Sequence, residues 1–283
     1  MGASVKVFLR PTGLFSQAMV RVARALAQYA PPSVELLDSP SGADLVVSHV
    51  IGYGPTPDTP EAIIQYCVNS TGEGLEWWKE RWHKARLVWS YYDLEVHTPR
   101  NFYFAPLGVD ASFTQGQETP RDIGIMTSGF VSGPGAEAIE EAWSAASTVG
   151  LRALHLGPPQ IEGMRVPPPR WTSVCGVTDE ELAALYHRCE WVSGLRHVEG
   201  FELPVIEGLC CGARPIVFDR PDMTTWYEGH AAFVPECEGV ELAEVLTEVL
   251  RHVPVPVSQQ EREIVAATFN WATIARGFWE RLL

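Results

Sequence analysis

Short apolar runs alternate with segments whose apolar residues recur at helical spacing, and the alternation begins afresh after residue 121. Residues 5–9 read as a buried strand that Pro11-Thr12-Gly13 ends; Ala18, Val22, Leu26 and Tyr29 then mark one face of a helix that Pro31-Pro32 stops. Runs at 34–37, 45–50, 62–68 and 86–90 read as further strands, the run at 62–68 also admitting a helix, with a helix at 74–84. Residues 102–105 lead into the turn-rich Pro106-Leu107-Gly108-Val109-Asp110, and the polar stretch 111–121, with Gly and Pro, is the expected linker. Beyond it strands are expected at 123–126, 153–156, 191–195, 215–218 and 232–234, and helices at 136–147, 178–187, 204–211 and 240–252. Residues 157–169 form a proline-rich loop, Thr178-Asp179-Glu180-Glu181 is a capping box, and a long helix from about residue 260 closes the chain. Two such series predict an α/β chain of two Rossmann-like domains facing each other across a cleft. The first spans 1–110, the linker 111–121 and the second 122–270, with a terminal helix, 271–283, crossing back toward the first.

The 283 residues suffice for two cores of ordinary size. No run of about 18 apolar residues occurs, so no membrane span is expected. Residues 1–10 lack a signal-peptide apolar region and read as a first strand, which points to the cytoplasm. The six cysteines form no C-x-x-C pair, so buried reduced thiols are expected rather than a metal site. A net charge of −14 opposes general nucleic-acid binding. It is uneven: residues 1–110 hold 9 basic and 11 acidic side chains, leaving a balance of −12 to the rest.

The chemistry concentrates in His197-Val198-Glu199-Gly200-Phe201-Glu202-Leu203-Pro204-Val205-Ile206-Glu207-Gly208. The segment follows a strand and opens a helix, with Pro204 in the first turn. Free N–H groups and the positive dipole end of such a helix can hold a phosphate, and carboxylates there can accept hydrogen bonds from sugar or ribose hydroxyls. The same pattern also suits a surface helix with two solvated acids.

This segment resembles the Glu-x7-Glu signature of retaining GT-B glycosyltransferases, usually E-G-F-G-L-P-x-x-E-A. Other stretches resemble the family's motifs in order: Pro106 to Asp110 its P-x-G-V-D, Gly176 to Tyr186 its E-L-x-x-L-Y helix, Gly212 to Val217 its G-x-P-V-I strand, and Phe269-Asn270-Trp271 its F-S-W. Gly13-Leu14-Phe15 resembles the glycine loop before the first helix. The resemblance covers most of 100–283. It implies a GT-B fold and transfer from a nucleoside-diphosphate sugar, UDP-sugar by default, with retention and without metal or other cofactor. It assigns Glu207 to the donor ribose and Glu199 to sugar hydroxyls and the anomeric carbon. Gly200, Phe201, Glu202, Leu203 and Pro204 line the sugar or diphosphate, with Gly13, Ser128 and Gly129 also on the donor side. No D-x-D triplet occurs, which disfavours the metal-dependent GT-A class.

Two departures stand out. The family's Arg and Lys for the diphosphate are missing from Ser128 to Gly135, and Arg196, where a small residue is usual, either replaces them or, in the plainer reading, is a surface Arg paired with a nearby acid. Glu202 stands in place of the usual Gly. On the acceptor side, His49 ends a strand and suits an acceptor contact or, in the plainer reading, a satisfied structural histidine, and Trp77-Trp78-Lys79-Glu80-Arg81-Trp82 interleaves aromatics with bases. Trp78, Lys79 and Arg81 are candidate acceptor contacts, while an amphipathic helix with Trp78 and Trp82 inward is the plainer reading. Compact members with an E-G-F-E-L-P variant resemble phage-type enzymes, some of which glycosylate modified DNA bases. A glucosyltransferase acting on a hydroxymethylated base in DNA is therefore one alternative, and a non-catalytic nucleotide-sugar or glycan-binding module another.

Overall fold

The computed structural model describes residues 4–10, 17–50, 58–66, 73–95, 97, 101–115, 119–128, 138–157, 171–197 and 201–283. They divide into two compact units, 1–108 with 269–283, and 109–268.

In the first unit β1 (Val5–Leu9), β2 (Val34–Leu37), β3 (Leu45–Val50), β4 (Glu61–Gln65), β5 (Leu87–Ser90) and β6 (Phe102–Phe104) form a parallel sheet in the order β2-β1-β3-β4-β5-β6. Helices α1 (Gln17–Gln28) and α2 (Glu73–Lys84) follow β1 and β4 in the chain. The whole of β4 is buried, as expected of an inner strand of a parallel sheet. Trp78 and Trp82 stack at 6.1 Å on the inner face of α2, and the Trp82 indole N–H donates to Gln65 Oε1 at 3.0 Å. The closing helix α10 (Trp271–Leu282) belongs to this unit. The Trp279 indole N–H donates to the Leu26 carbonyl and the Tyr103 hydroxyl to that of Ile274. Gly108 admits the Trp271 ring: a Cβ there would sit 2.4 Å from Trp271 Cδ2.

In the second unit β7 (Ile123–Ser128), β8 (Ala153–Leu156), β9 (Trp171–Val174), β10 (Cys189–Gly194), β11 (Arg214–Phe218) and β12 (Ala232–Val234) form another parallel sheet, in the order β12-β11-β10-β7-β8-β9. Its helices are α3 (Ala111–Thr114), α4 (Ile139–Thr148), α5 (Asp179–His187), α6 (Leu203–Cys210), α7 (Pro221–Tyr227), α8 (Gly239–Leu250) and α9 (Gln259–Thr268). Ile125, Trp143, Trp191, Ile216, Phe218 and Leu246 share one core cluster. The capping box expected at Thr178 is present: Thr178 Oγ1 accepts from the Glu181 N–H, and the Glu181 carboxylate accepts from the Thr178 N–H.

The α/β class and the two parallel sheets agree with the sequence reading; several elements do not. The expected linker opens with α3, whose Phe113 is fully buried against Tyr186. Strand β9 and helix α7 were not foreseen. The single terminal helix is two, because Asn270 accepts a hydrogen bond from the Thr273 N–H and caps α10 afresh. Cys189, Cys210 and Cys211 are buried free thiols, and burial pushes the Cys210 pKa up to about 12; Cys175, by contrast, is exposed. Among the described residues no helix is long and apolar enough to cross a membrane.

Candidate active site

In an open parallel sheet, ligands bind beyond the carboxyl ends of the strands where the strand order reverses. Here that point lies between β7 and β10, which pair although β8 and β9 intervene in the chain. Ser128 ends β7, and Arg196 and α6 follow β10.

Helix α6 is held tightly on β10. A Cβ on Gly194 would lie 2.4 Å from Val205 Cγ2, and one on Gly208 2.8 Å from Val192 Cγ1, so both glycines are needed for this approach. The helix ends in a Schellman motif: Gly212, at φ +90°, donates to the Leu209 carbonyl and Ala213 to that of Gly208. This packing carries Glu207, 2% exposed, on the second turn of α6. A buried carboxylate draws hydrogen-bond donors, because its desolvation is costly.

Two residues that depart from the resembled motif are partners. Arg196 Nε lies 3.5 Å from Glu202 Oε2, with side chains 14% and 0% exposed, and Arg196 Nη2 donates to the Ser128 carbonyl at 3.1 Å. The Arg196 guanidinium therefore ties the end of β7 to the start of α6. The Glu202 N–H donates to the Tyr227 hydroxyl at 3.1 Å, and that hydroxyl donates back to the Glu202 carbonyl at 3.3 Å. The same carbonyl accepts from Val205 and Ile206. The Glu202 N–H, expected to face a sugar or diphosphate, is thus engaged by Tyr227. The Phe201 ring stacks on Tyr227 and meets Trp226 edge-on, and the Leu203 side chain is buried; Pro204 lies in the first turn of α6.

Alongside, Arg220 donates to the His197 carbonyl at 2.6 Å and pairs with Asp222 and Glu236. His197 Nδ1 lies 3.1 Å from Glu236. At the end of β8, His155 shares a buried hydrogen bond with Thr127 Oγ1, which also accepts from the Trp143 indole. Burial, then the nearby Arg196 charge, lowers the His155 pKa to about 4. A cavity of roughly 550 Å³ in the same unit lies at the opposite end of the strands, near the amino ends of β7 and β8, and is remote from this constellation.

In the first unit, His49 stands near the carboxyl end of β3, beside the strand-order reversal between β1 and β3. Its Nδ1 is 2.9 Å from the Tyr66 hydroxyl, and burial lowers its pKa to about 4, so it is neutral at ordinary pH. Of the aromatic and basic residues on α2, Trp78 and Arg81 point inward rather than toward an acceptor, because the stacked indoles need the core and Arg81 bonds the buried Glu61. Lys79 pairs with Glu76 at 2.7 Å.

Glu199, Gly200, Gly13 and Gly129 lie outside the described residues. Sequence reasoning missed Tyr227. Asp219-Arg220-Pro221-Asp222 carried a helix-start signal, Pro in the first turn with an acid beside it, that would have found α7.

No protein-family model and no curated protein matches the sequence. Solved structures do match the fold along the whole chain. Sucrose-phosphate synthase from Thermosynechococcus elongatus is 15% identical with a TM-score of 0.71, over 98% of each chain. HepE from Anabaena, solved in complex with UDP, is 13% identical with a TM-score of 0.71, over 98% of this chain and 99% of its own. AviGT4, a glycosyltransferase involved in avilamycin A biosynthesis, is 13% identical with a TM-score of 0.66, over 98% of this chain and 97% of its own. These are GT-B glycosyltransferases, and at such identities the likeness is one of fold.

Proposed function

We propose that the protein is a glycosyltransferase that moves a sugar from a nucleoside-diphosphate sugar, UDP-sugar by default, with retention of configuration and without a metal. The observation that carries this reading is the buried Glu207 on a helix packed tightly at the carboxyl end of β10, at the strand-order reversal of the second sheet. A carboxylate so fixed suits the two hydroxyls of a ribose, and the likeness of fold to a structure holding UDP supports the same ligand. Glu199 would orient the sugar, and the leaving diphosphate would take the acceptor's proton, so that no separate base is required. Dipoles and charges fixed where the leaving group gathers charge lower the barrier without reorganising. His49, near the carboxyl end of β3 and held neutral, is the candidate acceptor contact.

The DNA reading finds little support in α2, where Arg81 is internal and Lys79 and Lys84 pair with Glu76 and Glu80. The test is a panel of nucleotide sugars scored by thermal stabilisation, followed by assay of turnover. A ligand at 100 times its Kd stabilises the fold by about 2.7 kcal/mol. Stabilisation and turnover by one donor are expected. A panel in which none stabilises and none is consumed would overturn the proposal, and stabilisation without turnover would leave a binding module.

A further inference from the structure

We infer that Glu202 is a built-in counter-anion for Arg196, set to weaken the hold of the site on a phosphorylated ligand. The inference rests on the donor reading above and adds what sets the strength of binding. Arg196 and Glu202 each stand where the resembled family has a different, smaller residue, and they lie 3.5 Å apart. They therefore act as one unit rather than as two separate changes.

The geometry fixes where the carboxylate can be. Glu202 is the residue before the first turn of α6, in extended conformation, and its backbone is clamped from both sides by Tyr227 and by the N–H groups of Val205 and Ile206. Its side chain is fully buried. Two sources of positive potential converge on that place, the Arg196 guanidinium and the amino end of α6. These are the features that attract phosphate in other proteins. Here a carboxylate of the protein itself meets them first.

Arg196 is held by the Ser128 carbonyl as well, which anchors the guanidinium at the β7 and β10 ends. Its orientation is retained while its charge is offset. A nucleoside diphosphate arriving there feels a pair of near-zero net charge rather than a lone cation. The consequence is weaker retention of the charged product, which matters because product release limits turnover in many enzymes.

Removing the offsetting charge should strengthen phosphate binding, an effect that a merely structural role would not give. Calorimetry with uridine, UMP and UDP on the wild type and on Glu202→Gln, which keeps the shape, reads it directly. UDP should bind the variant about tenfold more tightly, UMP by a smaller factor and uridine equally, since the gain follows ligand charge. In an Arg196→Gln background Glu202→Gln should still favour UDP over uridine but by a different factor, because the carboxylate also faces the amino end of α6 while its coupling to Arg196 is gone. Glu202→Gly, which restores the residue of the resembled motif, should give the same ordering of ligands and serves if the glutamine variant does not fold. UDP binding no tighter in either folded variant, or an equal change for all three ligands, overturns the inference while leaving the donor reading intact. Failure of every protein, wild type included, to bind UDP removes the uridine-donor reading and this inference with it.

Discussion

The Arg81 guanidinium grips the Glu61 carboxylate through two hydrogen bonds, Nη2 to Oε1 at 2.6 Å and Nε to Oε2 at 3.1 Å, with each side chain 5% exposed. The pair joins α2 to the fully buried strand β4. Removing one partner strands the other charge in the core. Arg81→Ala is therefore expected to cost about 3–5 kcal/mol of stability, and Arg81→Ala with Glu61→Ala less than the sum of the single changes. Urea unfolding of the three variants measures this. A single variant as stable as the wild type would show that the pair does not hold α2.

The interior position of Arg81 bears also on the acceptor. With that charge inside and Lys79 and Lys84 paired on the helix surface, duplex DNA should bind weakly and without a steep dependence on salt. Filter binding at low and moderate salt decides it. Tight binding that collapses as salt rises would bring back a DNA acceptor.

Glu207 carries the donor proposal. If it accepts from ribose hydroxyls, Glu207→Ala should weaken nucleoside diphosphate binding by about 1.5–3 kcal/mol, the usual worth of a hydrogen bond to a charged group. Titration calorimetry with UDP, on a variant first shown to be folded, gives the number. Unchanged affinity would assign Glu207 to the packing of α6 alone.

Two histidines predict an acid-sensitive fold. Burial lowers the pKa of both His49 and His155 to about 4, below the value of about 6.5 in an unfolded chain. As pH falls through this window the unfolded state takes up protons first. The stability they contribute is therefore full above about pH 6.5 and is lost progressively toward pH 4, by up to about 3 kcal/mol for the fully buried His155. Urea midpoints at about pH 7 and pH 5 should differ in that direction. His155→Asn, which keeps a partner for Thr127, should reduce the difference, and an identical pH dependence in that variant would remove His155 as its source.

Gly194 tests how closely α6 must lie on β10. Gly194→Ala drives a Cβ to 2.4 Å from Val205 Cγ2, and overpacking of this kind costs about 1–3 kcal/mol. Because α6 carries Glu207, UDP affinity should fall along with the melting temperature. A variant that loses stability yet binds UDP normally would separate the helix packing from the site.

Much of the architecture was legible in the residues themselves. The period of the apolar positions marks strands and helices wherever a face is buried, and Thr178 with Glu181 signals a helix start through purely local hydrogen bonds. Shorter or weaker elements escaped. Helix α3 spans only Ala111–Thr114 and carries Phe113 as its single buried residue, so no periodicity could show it. Strand β9 is only half-buried along its length, at the sheet edge, and lacks an alternating or wholly apolar pattern.

The sequence by itself determined the two β/α series, the glycine-tolerant turn after α6 and the presence of two acids around one helix start, because these depend on neighbours within a few residues. Only the tertiary structure decided what the charges do. Arg81 finds Glu61 from 20 positions away, and Tyr227 finds the Glu202 backbone from 25. Arg196 reaches Ser128 across 68 positions, because β7 and β10 are sheet neighbours. Whether a charged residue is a ligand contact or half of an internal pair depends on partners brought together by strand order, and strand order is set by the packing of whole elements rather than by any local pattern.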